Sequence, residues 1–557
     1  MQKVIPAALM RELDRLTTER FATPSVLLME AAAAAAAQAI AARFSHHLSR
    51  KSALILCGRG NNGGDGAALA RALWLAGARV HLVLFGRVAE TIGDAFANFE
   101  IVRHLAGYGA GSHTSPPPLS FRECEAVSDW EEIASARHSY DIIVDALFGT
   151  GLTRPLAGIY LQVIEHLDLI REARLRAQQT HPLIVSLDIP SGLDADRAEL
   201  IGKAVSADLT ITFTAPKPAN VLPPASHHCG QLVIASIGTP PALLEAASSE
   251  LFLVEEEDAR SWLVQTRYTP DSYKNTHGHA LVIAGSRGMA GAAVLCSNGA
   301  MRAGAGLVTV ATPASAQASV AARALPEVMT TALAETENGA ASFAAYEQIQ
   351  QLTSRANIIA IGPGLSASDE ETRRLVRATI EGRTTPILID ADALNALAPW
   401  SNNLRGSREH PLILTPHQGE MLRLLGTDDK SALADRVSVA REFATAHELI
   451  LVLKGTRTLI AGPDGRVFIN PTGNAGLGTA GAGDTLTGII AGFNAQAFAT
   501  LKDETDALSA TIAAVYLGGM AGDLAARERG MRSLTASDIR EHLGAAICAL
   551  DAPGEAP

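Results

Sequence analysis

Cysteine is scarce in this sequence. Its five residues, Cys57, Cys124, Cys229, Cys296 and Cys548, are scattered over 557 positions with no C-x-x-C pair. An odd, dispersed set excludes a disulfide framework and a zinc ribbon, and it predicts buried, reduced thiols. Positive charge is also short, with 46 Lys and Arg against 58 Asp and Glu, a net charge of −12. Binding to nucleic acid or an anionic membrane by general electrostatics needs the opposite balance, so neither partner is expected. Long apolar runs are missing too. The opening MQKVIPAALMRELDRLTTERF carries charges every few residues and lacks the apolar core of a signal peptide. Ala31–Ala42 is nearly all alanine, reads as one helix, and is too short to span a bilayer. The expectation is a soluble, cytoplasmic protein. What is present, 47% hydrophobic and 19% charged residues, is globular composition with enough chain for more than one core.

Strand–helix alternation organises the chain into two α/β halves. ALILC (53–57) is a buried-strand signal between glycines, Asp65–Gly77 has helical spacing, and RVHLVLF (79–85) reads as the next strand. Such a βαβ unit implies parallel pairing. Further strands fit Asp141–Val144 and Leu183–Leu187, which predicts a doubly wound, Rossmann-like sheet over residues 1–240. The run GSHTSPPPL (111–119) reads as a surface loop because of its three consecutive prolines. After a Pro-rich and acidic linker near 238–260, a second alternation begins. Its strands are expected at Ala280–Ala284, Gly306–Ala311, Asn357–Ile361, Pro386–Ile389, Pro411–Leu414 and Leu449–Leu453, so residues 241–557 form a second α/β domain.

In the first half GRGNNGGDG (58–66) follows the first strand and opens a helix. Gly58, Gly60 and Gly63 satisfy G-x-G-x-x-G in the context that motif requires, with glycines for a tight turn and helix N–H groups for a phosphate. No acid ends the next strand; Gly86 and Arg87 stand there, and Arg87 reads either as a 2′-phosphate contact or as a surface arginine. Asn61 and Asn62 add side-chain oxygens, which suit a hard cation better than a phosphate. YDIIVDALFGTG (140–151) places Asp145 just past a strand, and PLIVSLDIPSGLD (182–194) places Asp188 and Ser191 past another. Polar groups at several strand ends point to one shared crevice.

In the second half GTAGAGDTLTG (478–488) puts Ala482, Gly483 and Asp484 at a helix start, an anion hole for a transferring phosphoryl group. Asp484 sits where a base would take a proton from a hydroxyl. KGTRT (454–458) follows a buried strand and offers a cation to nucleotide phosphates, NPTGN (470–474) lies just upstream of the glycine loop, and His417 follows another strand end.

NNGGDG, DALFGTG and DIPSG, in that order, resemble the NAD(P)H-hydrate epimerase domain. GSRGMAGAA (285–293), MRAGAGLVTV (301–310), IGPGL (361–365), IDADALN (389–395), TPHQGE (415–420), LKGTRT (453–458) and GTAGAGD (478–484) resemble the ribokinase-like ADP/ATP-dependent NAD(P)H-hydrate dehydratases. Together they follow the order of the bifunctional NAD(P)H-hydrate repair family of bacteria. The resemblance implies that Asn61, Asn62, Gly63, Gly64 and Asp65, with Gly149, Thr150, Gly151, Leu152, Thr153, Arg154, Pro155 and Tyr160, cradle the hydrate, NADHX or NADPHX. It implies a potassium ion at Asn62, Asp145 and Ser191, and Asp188 as the substrate-contacting acid–base residue that inverts C6.

For the second half it implies hydrate contacts at Ala292, Gly364, His417 and Asp484. Contacts to ADP or AMP fall on Lys454, Gly455, Thr456, Arg457, Thr458 and Gly483, with Mg²⁺ neutralising the phosphates. The implied reaction is phosphorylation of the C6 hydroxyl by ADP, with Asp484 as base, then loss of phosphate to restore NAD(P)H. One departure is Asn275, in DSYKNTHG, where the family usually has glycine. A homo-oligomer is expected by the same resemblance. Two rival readings use the same loops: a ribokinase-like kinase of a small hydroxylated molecule, and a non-catalytic nucleotide sensor. The order of the seven motifs favours the repair reading.

Overall fold

The alternation of apolar runs and helical stretches builds two sheets, one in each of two units: residues 3–249, and residues 250–557 together with Met1–Gln2. The structure is a computed structural model and describes residues 1–108, 118–135, 139–179, 182–502 and 505–551. Of the loop expected at 111–119, residues 111–117 lie outside the described residues, and Leu119 opens a strand.

The first sheet has seven strands, all parallel. Their order is Leu119–Cys124, Arg79–Phe85, Ser52–Cys57, Ile142–Ala146, Leu183–Leu187, Leu209–Phe213 and Gln231–Ala235. Both faces are covered, which is why the strands read as nearly continuous apolar runs. Ser25–Arg43, Asn61–Leu75 and Gly93–Tyr108 bury one face; Val127–Ser135 and Ile159–Arg176 bury the other. From Ser52–Cys57 the chain winds outward through two strands, then returns to the other side at Ile142–Ala146. The loops leaving these two neighbouring strands diverge, and a crevice opens between them.

Two boundaries differ from the sequence reading. The helix expected from Asp65 begins at Asn61, so NNGGDG is helix rather than loop. Its glycines are there for close approach: a Cβ added at Gly63 would lie 1.8 Å from the Gly58 carbonyl oxygen, and one at Gly64 would meet Met29 and Ala95. Because the Gly63 clash is with backbone, Gly63→Ala is expected to cost about 3 kcal/mol. A denaturation curve of the first unit checks this. Asp145 lies inside the strand Ile142–Ala146 rather than past it, and is fully buried. Hydrogen bonds compensate its burial there, and they are described with the site below.

The second sheet runs Leu251–Leu253, Val467–Ile469, Leu459–Ala461, Ile450–Leu453, Leu412–Leu414, Ile387–Ile389, Ile358–Ile361, His279–Ile283, Leu307–Pro313 and Met329–Leu333. From Ile450–Leu453 to Met329–Leu333 every pair is parallel, and Leu459–Ala461 and Val467–Ile469 add an antiparallel hairpin. The order again reverses in the middle, between His279–Ile283 and Ile358–Ile361. The helix Ala482–Thr500 is the core of this unit. It packs on Ala290–Arg302 so closely that a Cβ at Gly488 would lie 2.0 Å from the Cys296 oxygen, and its Phe493 stacks on Trp262 at 4.3 Å. Asn275 falls in the 3₁₀ turn Lys274–His277 and is not among the residues with positive φ, so no glycine is needed there.

The alanine run at 31–42, expected to be too short to span a bilayer, lies in a longer helix, Ser25–Arg43, because the helix starts upstream at Ser25. This helix and Ala507–Arg529 are long and apolar enough to cross a bilayer by length and composition, and the second is mostly buried within its unit.

Candidate active sites

A cavity of about 610 Å³ occupies the crevice of the first unit. Of the expected residues, Asn61, Asn62, Asp65, Gly149, Thr150, Gly151, Leu152, Tyr160 and Asp188 line it. Gly63 and Gly64 are buried in the first turn of their helix beneath it, and Thr153, Arg154 and Pro155 are not among its lining residues. Arg87, left open between two readings, is exposed and paired with Glu90 and Glu125.

Asp188 immediately follows Leu183–Leu187 with φ +63°, a conformation costly for a non-glycine residue and held by its neighbours. Its amide donates to the Ile211 carbonyl at 2.7 Å, and the Asn220 amide donates to its carbonyl. Its carboxylate accepts from Lys217 Nζ at 2.5 Å and from Thr212 Oγ1 at 3.1 Å. Lys217 is only 1% exposed and spends its remaining donors on Thr212 Oγ1 and the Phe213 carbonyl. An ammonium this buried is tolerated because every proton has an acceptor and one acceptor is charged. Sequence reasoning missed Lys217; nothing in the spacing of TAPKPAN from Asp188 announces the pair. It also missed Asp14, which lines the same cavity.

Asp145 and Ser191 lie beneath the cavity wall. Asp145 accepts from Ser191 N and Ser186 Oγ, both at 2.8 Å, and from Ser191 Oγ at 2.5 Å. Burial pushes its carboxyl up against these bonds. Ser191 Oγ in turn accepts from Phe148 N at 3.0 Å. Asn62 closes on the same loop, its Cβ and Cγ each 3.4 Å from where a Cβ on Gly149 would stand. Both polar atoms of the Asn62 amide are buried without a hydrogen-bond partner among the described residues. Buried polar atoms are normally paired, so an unpaired amide oxygen beside an oxygen-rich loop fits a hard cation.

In the second unit the expected residues again sit past the carboxyl ends of parallel strands. Gly364, with φ +64°, faces Ala292 at the switch point; a Cβ on it would lie 3.0 Å from that of Ala292. His417 caps the helix Gln418–Leu424, its Nδ1 accepting from Gly419 N and Glu420 N, which leaves the ring half-exposed. Lys454 follows Ile450–Leu453, and its amide donates to Pro416 O beside His417. Its Nζ donates to Asp390 Oδ1 at 2.8 Å, and Thr487 Oγ1 donates to Asp390 Oδ2 at 2.7 Å. Burial opposes ionisation of Asp390, but Lys454 and Thr487 hold its carboxyl below the usual range. Asp390 is a third omission of sequence reasoning: IDADALN stood out as a motif, but no role followed from it.

Asp484 stands in the first turn of Ala482–Thr500, after Gly481 at φ +83°. Burial, then the negative charge of Asp390, Asp392 and Glu420, pushes its carboxyl up to about 6 against the pull of Lys454. Lys454 Nζ lies 3.4 Å from where a Cβ on Gly483 would be, so only a glycine leaves open space between the cation and the helix N-terminus. Arg457 turns back to donate to Pro471 O, and Thr458 Oγ1 donates to Gly455 O. Arg436 donates to Thr456 O and leaves Nε and Nη2 without a partner among the described residues, beside Gly455. A base near neutral, a buried ammonium and a helix N-terminus converge here, an arrangement suited to phosphoryl transfer.

Comparison with known proteins finds a match in each half of the chain. Residues 280–544 match the family model described as NAD(P)H-hydrate dehydratase, and residues 25–219 match that of the YjeF-related protein N-terminus. The bifunctional NAD(P)H-hydrate repair enzyme Nnr of Moorella thermoacetica is 39% identical over 540 residues, covering 97% of this chain and 96% of its own. That of Thermofilum pendens is 36% identical over 550 residues, 98% of this chain and 97% of its own. Among solved structures, the ADP/ATP-dependent NAD(P)H-hydrate dehydratase of Bacillus subtilis, co-crystallised with ATP/Mg²⁺, is 31% identical. It covers 54% of this chain and 98% of its own, with a TM-score of 0.45.

Proposed function

The chain belongs to the bifunctional NAD(P)H-hydrate repair enzymes, and from that premise we propose how its two units share the work. It is an epimerase and a dehydratase of hydrated NADH and NADPH, with an adenine nucleotide as co-substrate. Residues 3–249 carry the epimerase and residues 250–557 the dehydratase. The observation behind this reading is that each unit gathers its matching residues at the switch point or strand ends of its own sheet. The fusion has a chemical rationale: a dehydratase that takes only the S epimer depends on an epimerase to supply it from the R form.

In the dehydratase, Asp484 takes the proton of the C6 hydroxyl as that oxygen attacks the terminal phosphoryl group of ADP, releasing AMP. Lys454 and the N–H groups at Gly483 hold the moving negative charge, with Arg436 as a further cation beside the nucleotide loop. Phosphate then departs from C6 with the C6–O electron pair, a proton leaves C5, and the C5–H pair forms the C5=C6 double bond of the dihydronicotinamide. Asp392 and Glu420 add negative charge that raises Asp484; as hard oxygen donors they would suit Mg²⁺, which when bound would neutralise the nucleotide phosphates. The protein is soluble, cytoplasmic and homo-oligomeric in this reading, with no nucleic-acid or membrane partner.

In the epimerase, Asn62, Asp145 and Ser191 would hold K⁺, a hard cation that would tie the loop after Asp145 to Asn62. The orphaned Asn62 amide supports this. Potassium should therefore stabilise the first unit, by about 2.7 kcal/mol at a hundredfold excess over Kd, and sodium should stabilise it less. Asn62→Leu should erase the difference, and calorimetry in the two salts reads it. The whole reading is tested by incubating the protein with mixed NADHX epimers, Mg²⁺ and ADP or ATP while following the return of reduced-nicotinamide absorbance. Accumulation of a stable phosphate ester of a simple hydroxylated metabolite would favour the kinase reading instead.

A further inference from the structure

The epimerase cavity holds a carboxyl group that neither the resemblance nor the proposed chemistry uses. Asp14 lies on the helix Ala7–Phe21, which presents Met10, Arg11 and Asp14 to the cavity, whereas Asp188 enters it from a strand end. Asp14 Oδ1 is buried and has no hydrogen-bond partner among the described residues. Leaving such an atom unpaired is costly, and it is repaid when a ligand supplies the missing bond.

The charged neighbours of Asp14 are Asp65 on Asn61–Leu75, Asp188, and Lys217. Arg11, Arg59 and Asp94 line the same cavity. Lys217 is already bound to Asp188 at 2.5 Å. Carboxyls sharing one cation do not all ionise together, so one or more stays protonated. Burial, then the negative charge of Asp188 and Asp14, pushes the Asp65 carboxyl well above its ordinary range. Burial also raises Asp14, to about 6, with Lys217 opposing and Asp188 adding. That leaves Asp14 able to exchange a proton near neutral pH, across the cavity from the Asp188 side chain that Lys217 holds.

We propose that Asp14 is the acid that works with Asp188 in C6 epimerisation, an inference that rests on reading the first unit as the epimerase. Asp14 gives its carboxyl proton to the C6 hydroxyl. The C6–O bond breaks and its electron pair leaves on water, while the N1 lone pair forms an N1=C6 iminium. Water then adds to the opposite face of C6, passes a proton to the Asp188 carboxylate, and the iminium pair returns to N1. One C–O bond is broken and one formed, and a proton has moved from Asp14 to Asp188, to return through solvent. Only the configuration at C6 changes. The same step with each role exchanged carries the reverse direction.

The test uses the full-length protein and purified (R)-NADHX, with appearance of the S epimer followed by chromatography across pH and the spontaneous rate subtracted. The wild type should slow as pH rises through about 6, as a required acid ionises. Asp14→Asn should lower kcat by about 10²–10³-fold, leave KM nearly unchanged, and lose that limb of the profile. Asp14→Glu should keep the limb at an intermediate rate. Retained binding of NADP⁺ and an unchanged melting transition of the first unit show that the variants are folded. Wild-type kcat in Asp14→Asn would overturn the proposal. So would a slower Asp14→Asn that keeps the wild-type pH profile, since Asp14 would then only position other groups. A wild-type protein that does not epimerise at all would instead refute the epimerase reading on which the proposal stands.

Discussion

Asp484→Asn should abolish repair of (S)-NADHX, lowering kcat for dehydration by about 10²–10⁴-fold. The amide has the size and hydrogen-bonding reach of the carboxyl group but cannot take the hydroxyl proton. Lys454, Gly483 and the helix N-terminus remain in place, so nucleotide KM should change little. The wild type should also lose activity as pH is lowered through about 6. The sign follows from the role: a base works only when ionised, and burial with the neighbouring carboxylates raises Asp484 to that value. Steady-state rates from pH 5 to 8 read both effects. Epimerisation in the same variant should be untouched.

Lys217→Met should be the most damaging single change in the first unit. It leaves Asp188, 13% exposed at its side chain, without its ammonium partner, and removing one member of a buried pair costs about 3 kcal/mol or more. For a unit of this size that corresponds to a melting transition about 6–12 °C lower, with the transition of the second unit unchanged. Epimerisation should fall with it, because the acid–base carboxylate loses the group that orients it. Combining Lys217→Met with Asp188→Asn removes both charges, so most of the stability should return while the activity does not. Calorimetry with an epimerisation assay separates the two outcomes.

How much of this was legible in the sequence depends on where each signal lies. A motif that opens a helix, such as GAGD at 481–484, shows its place directly because an apolar helical stretch follows it, and Ala482 does open the helix Ala482–Thr500. NNGGDG read as loop because glycine is a poor helix former; the helix exists there because tertiary packing against Gly58, Met29 and Ala95 requires residues without side chains. Asp145 read as a strand end because a charge seldom lies mid-strand. Four donors, from Leu147 N, Ser186 Oγ, Ser191 N and Ser191 Oγ, make it tolerable there.

Lys217 and Asp390 were missed for a different reason. Each gains its meaning from a partner far along the chain, Asp188 and Lys454, and no local pattern encodes a pair. Asp14 sits in MRELDRL, whose charges served in the sequence only to exclude a signal peptide; the fold shows that this turn of the helix looks into a cavity.

The central claim, two sites acting in series on one metabolite, is tested most directly by a single progress curve. Mixed epimers of NADHX are incubated with Mg²⁺, K⁺ and ADP or ATP, with the wild type and with Asp188→Asn, and reduced-nicotinamide absorbance is followed to completion. The wild type should return all of the hydrate to NADH. Asp188→Asn should stop at the S fraction and continue only at the spontaneous rate of epimerisation. No recovery by the wild type with either nucleotide, or full-speed recovery of both epimers by Asp188→Asn, would contradict the account.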